Sequence, residues 1–236
     1  MTFDDPVIVR EQYATEANLR ARQALWANLE GENAPDVLWR VLSEIQPRTV
    51  LEVGGGQGEL AERMQTELGA AITFLDQSER MVELARARNI ADAHVGDVQS
   101  LPFADRTFDT VVAAWMLYHV PDLDRALAEI ARVLEPGGSL VAVTNSVRHI
   151  EELRSAFGSI LPGFQKTFNA ENGEEHLRRH FGHVERTDAE VVAVVEDRQT
   201  IVDYQRSLSY ETQPIPVDLA LPLRVHGRTT IFVATR

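Results

Sequence analysis

The chain has 236 residues, with 36 Asp and Glu against 23 Lys and Arg, for a formal net charge of −13. Affinity for nucleic acid rests largely on Lys and Arg neutralising phosphates, so this balance disfavours a polyanionic partner. Cysteine is absent and His occurs seven times, which excludes disulfides, thiolate metal sites and thiol nucleophiles. No His-Glu-x-x-His zinc motif occurs, and no metal site is expected.

The length suits one α/β domain with a substantial core, and no repeat or Ser/Gly linker divides it. The opening Met-Thr-Phe-Asp-Asp-Pro lacks a basic start and an apolar stretch, and the longest apolar runs are strand-length, so a cytoplasmic protein with no membrane span is expected. Residues 7–29 set Tyr13, Ala17, Leu19, Ala24, Leu25, Trp26 and Leu29 at helical spacing. Gly31 to Pro35 breaks that helix, and residues 36–45 make another that ends before Pro47. These helices are expected to cover a binding crevice.

An apolar strand from Val50 to Val53 then enters Gly54-Gly55-Gly56-Gln57-Gly58, followed by a helix over 59–68. Glycines at 54, 56 and 58 allow positive φ and let a ligand lie against the main chain. The helix start directs unpaired N–H groups and a positive dipole end at the same place. A second strand, 71–75, ends in Asp76-Gln77-Ser78, and Gly96-Asp97-Val98 precedes Leu101-Pro102-Phe103. A fourth strand over 108–112 leads into Trp115-Met116-Leu117-Tyr118-His119, and an amphipathic helix over 126–134 closes on Glu135-Pro136-Gly137-Gly138 before a fifth strand at 139–144. Beyond it come helices over 147–158 and 171–180, a long strand at 184–195, a helix at 198–208 and a last strand at 229–234.

A dinucleotide fingerprint would need glycine at 54, 56 and 59, but position 59 is Glu, whose carboxylate would repel a pyrophosphate. That argues against a nicotinamide oxidoreductase. The pattern Glu52-x-Gly54-x-Gly56-x-Gly58 instead resembles the first motif of class I S-adenosylmethionine-dependent methyltransferases. With the motifs downstream, over about residues 45–146, the order is similar to the ubiquinone/menaquinone-biosynthesis-like branch, methyltransferase type 11. The resemblance implies a Rossmann-like, doubly wound, mostly parallel sheet of about seven strands with a C-terminal antiparallel hairpin. Residues 1–46 would be cap helices, 47–146 the cofactor-binding core, and 147–236 the acceptor-pocket helices and hairpin.

It also implies S-adenosylmethionine as cofactor. Asp76 would bind the ribose, Asp97 the adenine amino group, and Val98 the adenine face, flanked by Gln77 and Met81. Glu52 and Tyr13 would stand near the methionine end, with Gly54, Gly56, Gly58 and Trp115 completing the contacts. Arg20 and Arg22 are further candidates for the cofactor carboxylate. His119, past the fourth strand, could serve as general base for a hydroxyl acceptor, its ordinary pKa lying near 6.5. Asn145 and His149 are weaker candidates of that kind. The expected function is direct in-line methyl transfer to an O, N or C atom of a small molecule. Positioning can supply roughly 7–11 kcal/mol, more than a general base usually adds. Two rivals are a tRNA or rRNA methyltransferase, disfavoured by the acidity, and a non-catalytic cofactor-binding subunit. The sequence leaves the acceptor and the oligomeric state open.

Overall fold

The computed structural model describes residues 24–26, 29–156, 167–207 and 214–236. Within them, eight strands form one sheet: β1 (Leu29–Gly31), β2 (Thr49–Val53), β3 (Ala71–Asp76), β4 (Asp92–Val95), β5 (Phe108–Ala114), β6 (Leu134–Asn145), β7 (His183–Val195) and β8 (Leu223–Thr235), in the order β1-β7-β8-β6-β5-β2-β3-β4. Strands β4, β3, β2, β5 and β6 run parallel to their neighbours, whereas β8 lies antiparallel between β6 and β7. Strand order therefore reverses between β2 and β5, and a switch point of this kind leaves a crevice at the strands' carboxyl ends.

Strands covered on both faces read as nearly continuous apolar runs, because each successive side chain enters one core or the other. Leu51, Val53, Val111 and Ala113 enter a core shared with α4 (Leu123–Val133), through Ala126, Leu127, Ile130 and Val133. Val50, Phe74, Val112 and Val141 enter the opposite core. There they meet α1 (Ala34–Ile45), α2 (Glu59–Arg63) and α3 (Glu79–Ala87) through Leu38, Leu42, Ala61 and Val82. Local signals set the helix ends. Asn33 caps α1 by accepting the Asp36 N–H at 2.8 Å, and Asp122 caps α4 by accepting the Arg125 N–H at 3.1 Å. The remaining helices are α5 (Glu151–Ala156), α6 (Gly173–Leu177) and α7 (Arg198–Arg206). No helix among the described residues is long and apolar enough to cross a membrane.

The expected Rossmann-like, mostly parallel sheet with an antiparallel C-terminal part is the one observed, with adjustments. The fifth strand, expected at 139–144, is β6 from Leu134, and the helix expected over 171–180 is the shorter α6. An eighth strand appears: residues 29–31, expected at a helix end, pair antiparallel with β7 from Leu29↔Ala193 to Gly31↔Val191. They thereby satisfy an edge that would otherwise present unpaired backbone groups. The helix expected over 59–68 divides into α2 and a π-helical turn, Met64–Leu68, ended by Gly69 at φ +68°. Residues 147–150 form a turn rather than the start of a helix, because the Ile150 N–H is taken by the His226 carbonyl of β8 at 2.8 Å. Lastly, β8 begins at Leu223 rather than 229, since β7 pairs with its whole length, Val195↔Leu223 to His183↔Thr235. The expected helix over residues 7–29 lies largely outside the described residues.

Candidate functional site

At the switch point the glycine turn carries three positive φ angles: Gly54 at +64°, Gly56 at +57° and Gly58 at +77°. What a Cβ would meet separates their roles. At Gly54 it would lie 2.9 Å from the Met116 Cβ, and at Gly58 3.1 Å from the Ala85 backbone, so both glycines serve close packing. At Gly56 it would meet nothing within 4 Å, so this one left-handed glycine faces open space. The turn is tied to β3 by the Gly54 N–H donating to the Leu75 carbonyl at 2.8 Å. Glu59 is drawn away from the crevice, its carboxylate 3.1 Å from Arg88 at the end of α3.

Asp76, the last residue of β3, is buried beside this turn. Its carboxylate accepts the Ser78 N–H at 2.8 Å, and the nearby backbone N–H groups of Gly56 and Gln77 also favour its charged form. Burial pushes it up to about 6 against those groups. Beneath the turn, Glu52 is 1% exposed. Its Oε2 has no partner among the described residues, and the nearby Ala61 N–H offsets only part of its burial. Burial first, and the neighbouring Asp76 charge second, push Glu52 up to about 8, so near neutrality it is mostly a protonated acid. Both carboxyls thus stand at the turn, one at its rim and one as its floor.

The Gly96 N–H donates to the Asp76 carbonyl at 3.0 Å, which carries the following turn to the same rim. There Asp97 is exposed, and its Oδ1 accepts the Gln99 N–H at 2.8 Å. Val98 and Met81 are buried, and Gln77 is exposed. Past β5, Trp115 sits at φ +54°, its backbone N–H bound to the Val143 carbonyl at 2.9 Å. His119 ends a short 3-10 turn, Leu117–His119, with its ring centroid 4.5 Å from that of Tyr118. Tyr13, Arg20 and Arg22 lie outside the described residues.

Next to Trp115, under β1 and the start of α1, a cavity of about 370 Å³ opens. Leu29, Pro35, Ala189 and Val191 supply apolar wall, and Asn145 and His149 polar groups. Asn145 Oδ1 accepts the Thr229 hydroxyl at 2.9 Å and the Trp115 indole N–H at 3.3 Å. His149 Nδ1 accepts the Arg228 backbone N–H at 3.0 Å, and burial holds its pKa down to about 4, so the ring is neutral. His119 does not line this cavity, whereas its two weaker companions from the sequence do. Sequence reasoning missed the walls from β1, β7 and β8. Gly227 was the available signal: a Cβ there would stand 2.7 Å from the Trp26 ring, and glycine inside a strand often marks such an approach.

Residues 51–142 match a family whose model is described as a methyltransferase domain. Among curated proteins, the chain is 28% identical over 174 residues to the methyltransferase GfsG of Streptomyces halstedii, covering 70% of this chain and 61% of that protein. It is 33% identical over 119 residues to the ubiquinone/menaquinone biosynthesis C-methyltransferase UbiE of Escherichia coli O1:K1 / APEC, covering 47% of each. The chain thus spans about half the length of the curated relatives it matches. Among solved structures, a phosphoethanolamine-type N-methyltransferase of Haemonchus contortus, in complex with phosphomonomethylethanolamine and S-adenosylhomocysteine, superposes with a TM-score of 0.64 at 18% identity, over 100% of this chain and 60% of that one. At that identity the likeness speaks for the fold.

Proposed function

We propose, from the match of residues 51–142 to the methyltransferase-domain family, that this chain transfers a methyl group from S-adenosylmethionine to a small-molecule acceptor. The observation that carries the reading is Gly56, a left-handed glycine facing open space, with the Asp76 carboxylate near enough to its N–H to be stabilised by it. Had a side chain or neighbouring backbone filled that space, nothing could lie against the turn. An acceptor-only carboxylate at the rim suits the vicinal hydroxyls of a ribose, so the residues present fit a nucleoside ligand.

In this reading Gly54, Gly56 and Gly58 shape the backbone wall and Asp76 takes the ribose. Asp97, Val98, Met81 and Gln77 surround the adenine, while Trp115 and Tyr13 close the methionine end. Glu52 acts from below, where a mostly neutral acid supports the turn without adding a second full charge beside Asp76. Bound there, the cofactor supplies an already activated methyl group, so the protein's task is to hold the acceptor in line and exclude water. The cavity beyond Trp115 is positioned to do so, and the single sheet supports reading residues 1–236 as one domain. His119 is proposed as the general base where the acceptor is a hydroxyl.

Calorimetric titration with S-adenosylhomocysteine and, separately, NADH tests the reading. Binding of the first and not the second is expected; NADH binding without S-adenosylhomocysteine binding would overturn it.

A further inference from the structure

The cavity beside Trp115 has no charged side chain in its lining among the described residues. Its three amide and imidazole side chains, Asn33, Asn145 and His149, have their acceptor atoms taken. Asn33 Oδ1 receives the Asp36 N–H at 2.8 Å, and Asn145 Oδ1 receives Thr229 and Trp115 at 2.9 and 3.3 Å. For His149 the tautomer follows from the backbone. Nδ1 lies 3.0 Å from the Arg228 N–H and 3.2 Å from the Arg228 carbonyl; the nearer group can only donate, which assigns the lone pair to Nδ1 and the ring proton to Nε2. What these groups have left to offer is hydrogen: the Nδ2 of Asn33, the Nδ2 of Asn145 and the Nε2 of His149, none partnered among the described residues. The ring stays neutral because burial outweighs the Arg228 backbone contact that favours protonation, with the Arg154 and Arg228 charges adding to burial and Glu152 opposing it.

We propose that this cavity binds an uncharged, mainly apolar small molecule through a hydrogen-bond-accepting oxygen, such as a carbonyl, that meets His149 Nε2 and Asn145 Nδ2. The proposal deepens the methyl-transfer reading and rests on it for calling this ligand the acceptor. Three donors in an apolar, charge-free chamber are satisfied by oxygen lone pairs and left unsatisfied by an ammonium, which also finds no anion to offset its desolvation. Phosphorylated and cationic acceptors are thereby selected against. In this tautomer His149 is a positioning residue: with Nδ1 engaged by the Arg228 N–H and Nε2 protonated, it has no lone pair for the acceptor's proton.

Three probes of matched shape test this by calorimetry at saturating S-adenosylhomocysteine: naphthalene, 2-acetylnaphthalene and 2-naphthylmethylammonium. The wild-type protein should bind the ketone at least about tenfold more tightly than either of the others. His149→Leu and Asn145→Leu should each bring the ketone close to naphthalene, and His149→Gln, whose amide can both accept from Arg228 and donate into the cavity, should restore most of the difference. A ketone that binds no better than naphthalene, an ammonium that binds as well as the ketone, or a His149→Leu variant with an unchanged ketone-to-naphthalene ratio would each overturn the proposal. The wild-type ranking decides even if a variant fails to fold. Where S-adenosylhomocysteine binds and the ketone does not, the acceptor class alone fails; where S-adenosylhomocysteine does not bind, the methyl-transfer reading fails.

Discussion

Asp76 accepts the Ser78 N–H and has the Gly56 and Gln77 N–H groups nearby, yet burial raises it to about 6, so small changes around it should be visible in binding. A hydrogen bond to a charged group contributes about 1.5–3 kcal/mol, and Asp76→Ala should weaken S-adenosylhomocysteine by roughly 10–150-fold by calorimetry with the fold intact. Protonation removes acceptor lone pairs, so wild-type affinity should also decline as pH falls below about 6, a decline absent from Asp76→Asn. Glu52 makes a stability statement instead. Its folded value of about 8 exceeds the ordinary 4.5, so between those values the folded state binds more protons and loses stability as pH rises. Glu52→Gln escapes that loss. Its urea-unfolding free energy should gain about 2–4 kcal/mol on wild type between pH 5 and pH 8, and a constant difference would show Glu52 to be ionised in the fold. For His119 as base, substitution by Ala should lower kcat by about 10²–10⁴-fold with cofactor affinity little changed. Retention of more than about a third of kcat on a hydroxyl acceptor at saturation would leave transfer to positioning alone.

The glycine turn between β2 and α2 shows how an element divides its labour. Gly54 and Gly58 are needed by Met116 and Ala85, which press on them, whereas Gly56 is needed by its φ of +57° and by the space before it. Gly56→Val should therefore keep the α/β circular dichroism signal, lose about 1–2 kcal/mol to the left-handed conformation, and abolish S-adenosylhomocysteine binding because the side chain fills the ligand's space. Retained binding would place the cofactor elsewhere. Gly54→Val should instead show its effect as lowered stability, since its side chain meets protein. The spacing of these glycines was legible because positive φ is a local requirement. Which of them faced open space was not, because that depends on Met116 and Ala85, which arrive from β5's loop and from α3.

For the whole molecule, a ligand that binds only the folded chain stabilises it by about 2.7 kcal/mol at a concentration 100 times Kd. For a domain of this size, that should raise Tm by roughly 5–11 °C with S-adenosylhomocysteine, and an unmoved Tm would argue against a site at the switch point. Strands β2 and β3, the glycine turn between them and Asp76 at the end of the second follow from features the sequence carries locally, namely apolar runs, a glycine cluster and a closing carboxylate. Their side-chain periods and backbone demands do not depend on distant partners, so residues 50–76 could be read alone. The doubly wound sheet was read from the family resemblance, and pairing alone set the reversal between β2 and β5. Tertiary structure alone decided the rest. Leu29–Gly31 became a strand because the edge of β7 needed pairing, and β8 grew to 13 residues because both its neighbours were strands, despite Arg224, His226 and Arg228 along it. The cavity likewise exists only where β1, α1, β6, β7 and β8 meet. Its donor character follows from the Arg228 N–H and the Thr229 hydroxyl, 79 and 84 residues from the side chains they engage. The sequence thus determined the glycine turn and its carboxylate through local backbone chemistry, whereas the cavity beside Trp115 was left to long-range pairing, which no local period encodes.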